Sequence, residues 1–143
     1  MRVLILAATA PVALLVAAPA SADPGAAGAS APSYPPPFVD HVSWTQWNHL
    51  PSLRVYPTAS GRAAAKALGS AEPDADEAWS EVLALAPDAG TPGMREQFLC
   101  HWEVAEVLQP GKTSWNLEPW RPAVDDTTMI GSGCNPGGSE ERF

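Results

Sequence analysis

The chain has 143 residues, 16 of them proline, with 8 basic and 16 acidic side chains and a formal charge of −8. That length is one domain by the usual size prior, and the prolines make it rich in loops. A surface so negative repels phosphate backbones and anionic lipid heads, so nucleic acid and lipid surfaces are excluded as first-choice partners.

The N-terminus has the three parts of an export leader. Arg2 is the positive start, Val3 to Ala18 is an apolar run interrupted only by Thr9, and Ala20-Ser21-Ala22 is a small-x-small cleavage site. Residues 1–22 are therefore predicted to be a signal peptide, cut before Asp23. The run is shorter than the roughly 20 residues of a spanning helix, so no membrane span is expected after cleavage. Loss of Arg2 lowers the formal charge by one. Residues 23–37, Ala, Gly, Ser and Pro with Tyr34 as the single large side chain, read as a flexible tether that stiffens at Pro35-Pro36-Pro37. Residues 38–138 are predicted to form one compact domain, and 139–143 a disordered tail.

Within the domain, Phe38 to Trp47 alternates as a strand, with Val42, Trp44 and Gln46 set against His41, Ser43 and Thr45. Asn48-His49-Leu50-Pro51 is turn-like. Leu53 to Tyr56 alternates again, with Leu53 and Val55 on one face, so a β-hairpin is expected. Ser60 to Leu68 reads as a short helix capped by Ser60 and ended by Gly69. Asp74 to Ala86 reads as a second, with capping-box spacing at Asp74 and Glu77 and an apolar face of Ala78, Trp79, Val82, Leu83 and Ala86.

Thr91 to Gln109 carries the clearest helical period. Thr91 is the expected N-cap and Pro92 the first helical residue. Met94, Phe98, Trp102, Ala105 and Leu108 make the apolar stripe, and Arg95, Glu96, Glu103 and Glu106 take the other side. From Lys112 the period is lost. Trp115 to Pro122 is an extended Trp- and Pro-rich arm expected to pack over the core, and Val124 to Ile130 a short turn of helix. The whole is predicted to be α+β: an N-terminal hairpin, two main helices, an extended C-terminal arm and one disulfide.

Cys100 and Cys134 are the two cysteines. Outside the cell an even count reads as a disulfide, closing roughly 33 residues and worth about 3–4 kcal/mol by chain entropy. A metal pair and a catalytic thiol are the rival readings. His101 lies within the apolar stripe of the long helix. It reads either as a general acid or base at a pocket edge or as a core histidine bonded to backbone, and the second reading is preferred because no partner is identified. In the arm, Trp115, Asn116 and Trp120 are candidate binding residues, since aromatics with a few fixed polar groups describe a ligand cleft. The same residues also describe a tail that seals a core, with Glu118 and Arg121 as an ion pair. The spacing of Asp74, Asp76 and Glu77 is explained by helix capping, so no metal site is assigned, and no cofactor signature is present.

Thr91-Pro92-Gly93-Met94-Arg95-Glu96-Gln97-Phe98-Leu99-Cys100-His101, Trp115 to Pro122 and Cys134-Asn135-Pro136-Gly137-Gly138, with Leu53 to Thr58 and Ala78 to Leu83, together resemble a family of small secreted actinobacterial proteins defined only as a domain of unknown function. The resemblance covers about Val39 to Gly138. It implies export and paired cysteines, and carries over no catalytic residues. The functional expectation is a secreted monomeric module that binds an extracellular or cell-envelope partner. The alternative is a secreted hydrolase or toxin-like enzyme using His101, with Glu118 and Arg121 as orienter and anion clamp.

Overall fold

The computed structural model describes residues 33–67 and 72–139. The expected leader, most of the tether, the end of the first helix at Leu68 and Gly69, and residues 140–143 of the tail lie outside the described residues. The fold is α+β, in the order β1 (Val39–Trp47), β2 (Leu50–Pro57), α1 (Ala59–Lys66), α2 (Glu72–Leu85), α3 (Met94–Leu108), β3 (Trp115–Leu117) and α4 (Asp126–Gly131), with a single 3-10 turn at Pro87–Ala89 before α3.

The hairpin is as the alternation predicts, but its turn is tighter. Asn48 and His49 alone connect the strands, both with positive φ, 50° and 65°. Two left-handed residues make the turn whose twist matches the strands it joins, and Asn is among the side chains that tolerate it. Opposite residues pair across it, Val42 with Val55 and Trp44 with Leu53. On β1 the alternation is weak, since a bulge between Val39 and His41 shifts the register and Trp44 remains 38% exposed.

Part of the arm is a third strand. β3 pairs antiparallel with β2, Leu53 opposite Leu117 and Val55 opposite Trp115, so β2 is central in the order β1-β2-β3. Leu53, Val55, Trp115 and Leu117 are fully buried. The aromatics of α2 and α3 meet them: Phe98 lies 5.5 Å from Trp79 and 6.0 Å from Trp115, and Trp102 lies 6.1 Å from Trp115 and 5.6 Å from Phe38, ring centre to ring centre. Edge-on and tilted rings at these distances add to the area they bury.

Helix ends and faces depart from local expectation where a distant partner intervenes. The cap of α1 is Thr58, whose hydroxyl accepts from the Gly61 amide at 2.9 Å, while Ser60 donates to the Pro35 carbonyl. Gly61 itself is required: a Cβ there would sit 2.2 Å from the carbonyl oxygen of Phe38. α3 starts at Met94 rather than Pro92, because Gly93 adopts φ 84° and turns the chain into the helix. Glu106, expected on the solvent face, is buried and ion-paired with Arg62 of α1, whereas Leu108 is 69% exposed because the helix ends beyond the core. Glu81 of α2 accepts from the backbone amides of both Phe38 and Val39 at 2.7 Å, tying the start of β1 to the helix layer.

Candidate functional site

The arm turns at Glu118 into a buried polar knot. Gln97 of α3 holds the backbone of Glu118 on both sides: its amide nitrogen donates to the Glu118 carbonyl at 3.0 Å, and its Oε1 accepts from the Glu118 amide at 2.9 Å. The Glu118 carboxylate accepts from Ser52 at 2.9 Å and from Nε of Arg121 at 2.6 Å. The guanidinium then donates to the carbonyls of Pro136, Gly138 and Ser139. Its Cζ lies 4.6 Å from the ring centre of Trp120 and 5.9 Å from that of Trp47. Both charged side chains are buried, with their hydrogen-bonding atoms occupied, the condition under which a buried pair can be kept.

Cys100 of α3 and Cys134 form the disulfide, Cα atoms 5.6 Å apart, and with Met129 make a small second core beside the first. α4 is capped by Asp125, which accepts from the Thr128 amide; that bond, before all else, holds its carboxyl below the usual range. The knot and the disulfide together lay Ser132 to Ser139 against the C-terminal half of α3. A cavity of about 280 Å³ remains between them, bordered by His101, Val104, Ala105, Leu108, Lys112 and Asn135 among others.

His101 is 3% exposed. Its Nδ1 lies 2.8 Å from the carbonyl of Gln97, four residues earlier on the same helix. Burial lowers its pKa to about 4 despite that bond, and Lys112 and Arg121 push it further down. The imidazole is thus neutral near pH 7 and bonded to backbone, with no carboxylate in hydrogen-bond reach among the described residues. Lys112 is lowered by partial burial, with Glu118 acting against the shift.

Of the candidate binding residues, Trp115 and Asn116 are inside. Trp115 is part of the aromatic core, and Asn116 accepts from Ser114. Trp120 alone is partly open, its indole donating to the Pro51 carbonyl at 3.0 Å and lying 6.3 Å from Trp47. The surface beside it is a groove of about 560 Å³ bordered by Trp44, Thr45, Gln46, Pro51, Asp88, Thr91 and Pro119. Trp44 is held there by donation from its indole nitrogen to Asp88 at 3.1 Å. Trp44 and Asn135 were both missed by sequence reasoning. Alternation assigned Trp44 to a strand face without saying whether anything covered it, and nothing local marks Asn135.

A three-stranded antiparallel sheet backed by helices, with a disulfide-tied tail, defines a small α+β module. The chain belongs to the family described as "Protein of unknown function (DUF2599)", whose profile matches residues 39–137. It is 57% identical over 144 residues to uncharacterized proteins of Mycobacterium tuberculosis and Mycobacterium bovis, covering 96% of either chain in each case. An uncharacterized protein of Mycobacterium leprae is 51% identical over 112 residues, covering 76% of this chain and 87% of its own. No solved structure matches. No helix among the described residues is long and apolar enough to cross a membrane.

Proposed function

We propose that the protein is an exported binding module, working outside the cell or in its envelope, and that it meets its partner through the groove beside the hairpin turn. The observation that carries this reading is Trp44: a large indole 38% exposed, yet fixed by Asp88. A rigid aromatic flanked by Pro51, Pro119, Gln46 and Thr91 offers apolar area that needs little ordering on binding, the usual anchor of an interface. Export rests on the leader-like residues 1–22 and on the disulfide, which persists in an oxidising compartment.

The catalytic alternative has less support. Its three residues are engaged in structural bonds, His101 to backbone and Glu118 to Arg121, so none is placed to act on a substrate through the others. Capture from culture medium and envelope fractions tests the proposal. The wild-type protein is expected to retain a partner that Trp44→Ala loses at unchanged melting temperature. Equal capture by the variant would remove the groove. An activity abolished by His101→Ala, again without a change in melting temperature, would restore the enzyme. Intact mass of exported material is expected to begin at Asp23.

A further inference from the structure

Asp88 is tied to an indole and to no cation. Its Oδ1 accepts from Trp44 Nε1 at 3.1 Å, and no basic side chain among the described residues pairs with it. Both residues border the hairpin groove, where Asp88 is the one ionisable group among the described residues. A bond from a neutral donor leaves the carboxylate its whole charge. A carboxylate accepts at about four positions, so Oδ2 and the second position on Oδ1 remain to be used. Asp88 is exposed, and Trp44 is open in the same groove, so a group arriving from solvent meets the charge and the indole together.

The same molecule shows what this combination holds when a cation is present. In the knot the Glu118 carboxylate takes Arg121 Nε at 2.6 Å, while the guanidinium carbon lies 4.6 Å from the ring centre of Trp120. The groove offers the carboxylate and the indole without the guanidinium. The Trp120 indole donates to the Pro51 carbonyl, and Pro51 also borders the groove, so the two places adjoin across one proline. The formal charge of −8 adds a field that draws positive groups in. Arginine suits the groove better than lysine: its planar fork matches a carboxylate, it stacks on aromatic faces, and it is the more weakly hydrated. Pro51 and Pro119 give apolar rims, and about 560 Å³ is more than one guanidinium fills. Both favour a side chain carried on an extended segment over a free small cation.

We propose that the groove docks an arginine side chain from an extended segment of a partner protein, with the guanidinium paired to Asp88 and lying against the Trp44 indole. This rests on the reading of the groove as the partner surface, and names the chemistry that anchors the partner there. Asp88 then has two tasks: it fixes the indole and supplies the charge beside it.

Nitrogen-15 NMR on the oxidised protein tests it, reading the indole N–H of Trp44, identified by its loss in Trp44→Ala. The probes are N-acetyl-prolyl-arginyl-proline amide, the same peptide with citrulline, which keeps the shape of arginine without its charge, and methyl glucoside. The arginine peptide is expected to shift the Trp44 signal saturably and to bind about fivefold more tightly than the citrulline peptide, the combined effect of an exposed ion pair and an exposed cation–π contact. High salt should narrow that gap. Asp88→Asn keeps an acceptor for the indole and should bring arginine down to the citrulline level, whereas Glu77→Gln, an exposed acid elsewhere on α2, should not. The two peptides can be compared on the wild-type protein even if Asp88→Asn fails to fold. Equal binding of both peptides overturns the proposal, as does an equal loss in Glu77→Gln, or a response to methyl glucoside alone. If arginine has no advantage yet Trp44→Ala still loses the partner captured from culture, the groove stands and its cationic occupant falls. If that capture also survives Trp44→Ala, both fall.

Discussion

Between Phe38 and Leu117 the chain is closed mainly by carbon: a sheet face of Leu53, Val55, Trp115 and Leu117 against Trp79, Phe98 and Trp102. Beyond Leu117 it is held by one buried ion pair, a fan of carbonyls around Arg121 and one disulfide, with Met129 as the main apolar contribution. Apolar burial is non-directional and distributes its energy over many contacts. Polar ties are directional and fail singly. The first region can tolerate loss of a contact, while the second places the cavity wall and depends on a few atoms.

The largest test of that contrast is Arg121→Ala. It leaves the Glu118 carboxylate buried without its cation and is expected to cost about 3–5 kcal/mol in urea unfolding. Replacing Glu118 and Arg121 together by Gln and Met should cost clearly less, because no buried charge is left alone. If the single and double variants lose the same stability, the knot contributes shape rather than charge pairing.

Removing the disulfide as Cys100→Ala with Cys134→Ala is expected to cost about 3–4 kcal/mol by the chain-entropy argument. Hydrogen exchange should show α4 and Ser132 to Ser139 opening while α3 opposite Trp115 stays protected. Simultaneous opening of both would mean that the two regions form one cooperative unit.

Acid should act through His101. Its folded pKa of about 4 lies below the 6.5 of the unfolded chain, so between those values the unfolded state binds the extra proton. Its contribution is complete above pH 6.5 and lost as pH falls toward 4, on the order of 3 kcal/mol at full loss. Denaturant midpoints of wild type and His101→Gln from pH 7 to 4 isolate it: the wild-type curve should fall more steeply. Parallel curves would show the imidazole to be more solvated than its burial implies.

The smallest expected effect lies in the carbon-closed region. Thr58→Ala removes the cap of α1 and a hydroxyl bond to the Pro37 carbonyl, and should cost about 1 kcal/mol, read as a shift in midpoint with unchanged denaturant slope. A much larger loss would show that the capped turn, with Gly61 pressed on Phe38, organises β1 as well as α1.

Local pattern reached the hairpin and the helical faces of Trp79, Phe98 and Trp102, because periodicity and turn chemistry are encoded within a few residues of where they act. The pairing of Cys100 with Cys134 was legible from the count of two cysteines rather than from any local pattern. The Glu118–Arg121 pair was legible as one of two readings, since three residues separate its members. Tertiary structure alone decided that the arm joins the sheet as β3, that Glu106 turns inward to Arg62 and Leu108 outward, and that Glu81 captures two amides of β1. It also decided that His101 and Asn135, more than thirty positions apart, border one cavity. Each of these depends on a partner brought near only by folding, and no spacing along the chain specifies which distant group will arrive.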